Sequence, residues 1–283
     1  MDAKPTAPGT GSLKAQDYKS DLKPVWCPGC GDFAVLSAIT KALAELQVPR
    51  EDAAVVSGIG CSSRIPAYTS VYGFHSIHGR ALPIATGLKA ARPDLTVFCA
   101  GGDGDGFSIG GNHFIHACRR NVDLTYIVMD NEVYGMTKGQ ASPTTEPDWT
   151  GSKLTPQGPG VAPFQPLEIA LSAGANFIAR GFSGDPNFVV RLIVEAVRHP
   201  GFSLVQVLSP CVTFRPEQRA WKETTHADWA PEAASTDRRE AFLRLLDDDG
   251  FTTGVLYKGH NPVFAPPHPS SANLADLEKG FAL

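Results

Sequence analysis

The chain has 283 residues, 42% apolar and 19% charged, enough for one large or two modest domains with a real core. Its net charge of −4 argues against a bulk nucleic-acid binder, which carries a basic surface, and six cysteines are too few for a disulfide-dense scaffold. No apolar run approaches the ~18 residues of a membrane span and the first 23 residues hold no signal-like apolar stretch, so the expectation is a cytoplasmic protein with reduced thiols.

Residues 1–23, rich in Pro, Gly, Ser, Thr and Lys, read as a flexible N-terminal arm, or as a strap that orders only on a partner. Phe33–Leu46 has helical spacing of apolar residues, with Asp32 as its N-cap. Ala53–Ile59 reads as a buried strand and His78–Ala91 as a helix kinked at Pro83. Leu95–Ala100 and Leu124–Asp130 are further buried strands, with a helix at Phe107–Arg120 between them. The long irregular stretch Glu132–Pro163 is of the kind usually kept for function. Helix Phe164–Ala173, strand Asn176–Ala179, amphipathic helix Pro186–His199 and strand Ser203–Leu208 follow. Beyond residue 214 the chain is polar and Pro-rich with one helix near 237–246, and reads as an extension wrapped over the surface.

Strands alternate with helices, and the strands are continuous apolar runs. That predicts an α/β domain over residues 24–214, a parallel sheet with helices on both faces, flanked by the arm 1–23 and the extension 215–283. Sites in such sheets lie beyond the C-terminal ends of the strands. Gly58–Ser63, Gly101–Gly106, Asn131–Gln140 and Ser209–Phe214 all fall there.

Cys27, Cys30, Cys61 and Cys211 lie in Gly/Pro loops, whereas Cys99 and Cys118 fall inside a strand and a helix and read as small buried hydrophobes. Four loop thiolates suit zinc or an iron–sulfur cluster, and spacing alone leaves both open. The helix after Cys27-Pro-Gly-Cys30 fits a redox dithiol, but Lys19–Val25 makes a poor core strand before it.

Gly101-Gly-Asp-Gly-Asp-Gly106 follows a strand and opens a helix, a setting that favours a diphosphate. Its spacing fits neither the dinucleotide fingerprint nor a P-loop. Asp103 and Asp105 suggest a divalent ion bridging phosphates. With Asn131 28 residues after Asp103, the segment resembles the thiamine-diphosphate motif. That resemblance implies Mg²⁺ ligands from the Asp103 carboxylate, the Asn131 amide oxygen and the Val133 carbonyl, with Gly102, Gly104 and Asp105 against the diphosphate.

Together WCPGCGD (26–32), GIGCSS (58–63), HSIHGRALPIATGLK (75–89), GGDGD (101–105) and MDNEVYGMTKGQASPTT (129–145) resemble the β subunit of 2-oxoacid:ferredoxin oxidoreductases, the two-subunit 2-oxoglutarate type foremost. The resemblance spans about Trp26 to Phe214 and implies a thiamine-diphosphate-binding fold. It also implies one 4Fe–4S cluster on Cys27, Cys30, Cys61 and Cys211, which tips the balance away from zinc. The implied reaction is coenzyme A-dependent oxidative decarboxylation of a 2-oxoacid, or its reverse, with electrons leaving to ferredoxin.

Ser62 and His78 match positions near the thiamine in that family, while His75 reads as an ordinary loop histidine. Lys138, on the long loop, is either a partner for a substrate carboxylate or coenzyme A phosphate, or a solvated lysine. Thiamine enzymes need a Glu beside the aminopyrimidine, which in this family comes from the α subunit; Glu45 and Glu51 are in the wrong context. The resemblance therefore implies an α2β2 assembly, with this chain inactive alone. The competing readings are a sibling acting on pyruvate or a broad range of 2-oxoacids, and a zinc-stabilised non-catalytic subunit.

Overall fold

The computed structural model describes residues 12–230, 233–265 and 279. In chain order the elements are α1 (Asp32–Leu46), β1 (Ala53–Ser57), β2 (Tyr72–His75), α2 (Ala81–Ala91), β3 (Thr96–Gly102), α3 (Gly111–Arg120), β4 (Thr125–Asp130), β5 (Val133–Tyr134) and β6 (Gln140–Ala141). Then come α4 (Pro166–Ala173), β7 (Phe177–Phe182), α5 (Pro186–Arg198), β8 (Ser203–Leu208), α6 (Trp221–Thr224), β9 (His226–Trp229), α7 (Arg238–Leu246) and β10 (Thr252–Lys258). Eight strands form one sheet in the order β2-β1-β3-β4-β8-β7-β10-β9, and β5 and β6 form a separate hairpin.

The expected α/β architecture is present. β2, β1, β3, β4, β8 and β7 are parallel, and residues of the central strands alternate between two cores. Val55, Phe98, Ile127, Met129 and Val205 face α1 and α5, while Val56, Val97, Tyr126, Val128 and Leu204 face α2, α3 and α4. Both faces of each strand are thus covered, which is why the strands read as unbroken apolar runs.

Several local expectations shift. Asp32 lies in the first turn of α1, with Gly31 in the cap position, and its buried carboxylate accepts from the Ser209 hydroxyl at 3.2 Å. Pro83 does not kink α2, because it is the third residue of that helix and its missing N–H had no helical partner to lose. The helix expected from Phe107 is divided. Residues 104–109 make a wide π-type turn closed by Gly110 N–H on the Asp105 carbonyl at 3.2 Å, and α3 starts after it.

The two ends of the chain differ more. Of the arm read at 1–23, residues 1–11 lie outside the described residues, but residues 13–20 are docked. Tyr18 is fully buried and donates to the Val48 carbonyl at 2.5 Å, and Lys19 bridges Thr69. Of the extension read as a surface wrap at 215–283, residues 231–232, 266–278 and 280–283 lie outside the described residues; the described part completes the sheet instead, with β10 antiparallel to β7 and β9 parallel beside β10. Val255 and Leu256 are buried on opposite faces, so burial, not wrapping, holds this segment. Among the described residues no helix is long and apolar enough to cross a membrane.

Candidate functional site

The loops that leave β1, β3, β4 and β8 meet on one rim. Asp105 organises it. Its carboxylate oxygen accepts the backbone N–H of Ile59 at 2.9 Å and of Gly79 at 2.8 Å, so it pins the loop after β1 to the loop before α2. The packing is close: a Cβ on Gly58 would stand 1.8 Å from the Asp105 carboxylate. Gly79 has φ +70 and could not carry a side chain without strain. The half-exposed His78 places Nε2 3.7 Å from the same Asp105 oxygen.

Asp103 is 2% exposed and sits at the end of β3 against the end of β4. The Asn131 N–H and the Ser142 hydroxyl face its carboxyl and partly offset the effect of burial. The Thr144 hydroxyl lies 2.9 Å from Asp103 and 2.8 Å from Asp130. One hydroxyl has one proton, so its second contact requires a proton on one of the two carboxyls. Burial pushes both carboxyls above the usual range, and Asp130 raises Asp103 further. A divalent cation is the natural counter-charge for such a site.

Asn131 holds its side-chain oxygen on Val133 N–H at 3.1 Å, and the Val133 carbonyl accepts Gly135 N–H at 3.0 Å. A Cβ on Gly102 would stand 3.4 Å from Ser62 Oγ, so the β3 and β1 loops touch there too. One cavity is lined by Ser62, His78, Gly102, Gly104, Asp105 and Asn131 together, with Val133 on its wall. Asp103 lies beside it rather than in its lining. Lys138 is also absent from the lining; it is exposed at the β5–β6 turn with φ 85.

Cys61 and Asp32 line the same cavity and connect it to the other loop cysteines. Gly31 N–H donates to the Pro210 carbonyl at 3.3 Å, which brings the Cys27–Cys30 turn beside Cys211. Trp26 Nε1 donates to the Cys61 carbonyl at 2.9 Å. Three of these thiols feel the charge of others in the set: Cys30 feels Cys61 and Cys211, and Cys61 and Cys211 both feel Cys27. Burial raises the thiols of Cys30, Cys61 and Cys211, Cys61 to about 11. Thiolates here need a cationic partner. Among the described residues no group of three or more His, Cys, Asp and Glu side chains forms a metal-ion site. All four cysteines are free thiols; Cys99 and Cys118 are fully buried elsewhere in the sheet and α3.

Sequence reasoning missed a second layer. Arg215 pairs with Glu132 at 2.6 Å, with Glu217 at 2.9 Å and with Glu146, and stacks over Trp149 at 4.8 Å. Burial, with Asp130 nearby, pushes Glu132 up to about 8. Ser142 and Thr144 lay inside a quoted motif as ASPTT, and their hydroxyls were a usable signal. Arg215 and Gln218 lay beyond every motif.

Residues 58–207 match the family described as thiamine pyrophosphate enzyme, C-terminal TPP binding domain. The 2-oxoglutarate oxidoreductase subunit KorB of Mycobacterium tuberculosis is 49% identical over 71% of this chain, and the match spans 54% of that relative, about half its length. A 2-oxoacid:ferredoxin oxidoreductase subunit beta of Aeropyrum pernix is 48% identical over 70% of the chain and 64% of its own length. The subunit beta of a Sulfolobus 2-oxoacid:ferredoxin oxidoreductase is 41% identical over 82% of this chain and 81% of its own. A solved 2-oxoglutarate:ferredoxin oxidoreductase from Magnetococcus marinus, with 2-oxoglutarate, coenzyme A and succinyl-CoA bound, superposes with a TM-score of 0.85 at 42% identity. That match covers 95% of this chain and 90% of the other.

Proposed function

Because the chain belongs to the β subunits of the 2-oxoacid:ferredoxin oxidoreductases, we propose that it forms the cofactor-binding half of an enzyme that decarboxylates a 2-oxoacid, 2-oxoglutarate foremost. In the oxidative direction the acyl group passes to coenzyme A; the reverse is reductive carboxylation. The observation that carries this reading is the convergence of Ser62, His78, Gly102, Gly104, Asp105 and Asn131 on one cavity beside the buried Asp103.

When bound, thiamine diphosphate supplies an electron sink for loss of CO₂, and a 4Fe–4S cluster supplies a one-electron route to ferredoxin. The residues of the chain do the positioning. Asp103, the Asn131 amide oxygen and the Val133 carbonyl would hold Mg²⁺, a counter-charge for the buried Asp103–Asp130 pair. Asp105 keeps the two neighbouring loops closed around the diphosphate through its bonds to Ile59 and Gly79. Cys27, Cys30, Cys61 and Cys211 would hold the cluster. Ser62 and His78, which line the cavity, would contact the thiamine, and Lys138 would offer a point charge to the substrate carboxylate or to coenzyme A.

Calorimetric titration of the chain with thiamine diphosphate and Mg²⁺ tests the cavity: binding is expected, and Asp103→Asn weakens it at least about tenfold. Anaerobically purified chain is expected to be brown, Cys211→Ser colourless and Cys118→Ser brown. Wild-type chain that binds no thiamine diphosphate overturns the cavity reading. A colourless wild type carrying zinc favours the non-catalytic alternative. Comparing 2-oxoglutarate, pyruvate and 2-oxobutyrate as substrates of the assembled enzyme fixes the preference.

A further inference from the structure

The hydrogen-bond ladder between β4 and β8 ends where Ser209 N–H meets the Asp130 carbonyl at 2.7 Å. Beyond that point the two chains separate, Asn131 toward the cavity and Cys211 toward the other cysteines. The gap is filled by one side chain. Gln218 is 0% exposed; its Oε1 accepts Cys211 N–H at 2.8 Å and its Nε2 donates to the Asn131 carbonyl at 2.8 Å. A carboxamide has the donor and acceptor of a peptide group, so Gln218 extends the ladder by one rung across diverging strands.

The rung is itself anchored. Arg215 N–H donates to the Cys211 carbonyl at 2.8 Å, Gln218 N–H donates to the Arg215 carbonyl at 3.1 Å, and the Arg215 guanidinium holds Glu132. No other described side chain bonds the Cys211 amide and the Asn131 carbonyl together. We infer that Gln218 is a positioning residue that fixes the spacing between the diphosphate–metal loop and the Cys211 arm of the cluster site, an inference that rests on the function proposed above. Electron transfer between two bound groups needs a fixed separation, and a buried two-ended amide supplies one without touching either group.

The test uses the full chain, purified anaerobically, as wild type, Gln218→Met and Gln218→Asn. Methionine keeps the volume and loses both hydrogen bonds; asparagine keeps the amide but is too short to reach both loops. Expected in both variants are a rise of about tenfold in the Kd for thiamine diphosphate at saturating Mg²⁺ and an altered visible circular dichroism of the cluster. A merely structural role would lower the unfolding midpoint yet leave the affinity and spectrum of the folded protein as in wild type, and that result overturns the inference. Should Gln218→Met not fold, Gln218→Asn decides by the same two readouts. Wild-type chain that lacks both cofactors overturns the site reading and the inference with it, whereas variants that match a cofactor-binding wild type overturn the inference alone.

Discussion

Thr144 carries more of the site than its size suggests. Among the described residues its hydroxyl alone hydrogen-bonds both buried carboxyls, Asp103 and Asp130, and it comes from a turn rather than from either strand. Valine would keep the shape and leave two carboxyl oxygens facing each other without the shared hydrogen bond. Thr144→Val is therefore expected to cost about 1–3 kcal/mol of unfolding free energy in urea, measured without added cofactor. A loss below about 0.5 kcal/mol would mean that Ser142, the Asn131 N–H and Gln206 already satisfy the pair. Residues of this second layer are hard to read from sequence. The strand ends are legible because apolar runs followed by Gly, Asp and Asn announce a rim. Gln218 and Arg215 reach the rim from a polar, Pro-containing segment whose local pattern says nothing of what it will touch.

Elements divide in the same way. α1, α5, β4 and β8 were legible because amphipathic period or unbroken burial follows directly from their place between two cores. β2 was not, since all four of its residues are exposed at the sheet edge and carry no periodic signal. β10 was hidden by Gly254, whose φ of +135 brings it against the Trp229 carbonyl, and by the polar stretch before it. The docked segment before α1 shows a third cause. Only Tyr18 anchors it deeply, and one aromatic in a lysine-rich stretch looks like linker composition. Tyr18→Ala should cost about 3 kcal/mol, because a buried ring and its bond to Val48 are lost together. A chemical denaturation midpoint unchanged from wild type would instead mean that residues 13–20 contribute nothing to the folded core.

At the scale of the molecule, the function proposed above asks the described rim for one more chemical group and one covering surface. Among the described residues that line the cavity there is no glutamate; Glu45 lies on α1 and Glu51 in the turn before β1. Met136, which lines the cavity, is 45% exposed, and Ile77, next to His78, and Ile109, at the end of the turn after Asp103, are 68% and 54% exposed. The β2 edge adds Tyr72 at 54% and Phe74 at 43%. Apolar exposure on this scale beside an edge strand of the described sheet is what a surface kept for a partner chain looks like, in keeping with the subunit role proposed above. A partner that closes the cavity can exclude water and bring the missing carboxylate at the same time, so cofactor binding and turnover are expected to separate. The chain alone should bind thiamine diphosphate with Mg²⁺. With 2-oxoglutarate and coenzyme A it should reduce viologen at least about 100-fold more slowly than the complex co-purified with an α-type chain, the usual weight of one positioned acid–base group. Comparable rates from the two preparations would place the proton-accepting carboxylate within these 283 residues and remove the reason for a shared active site.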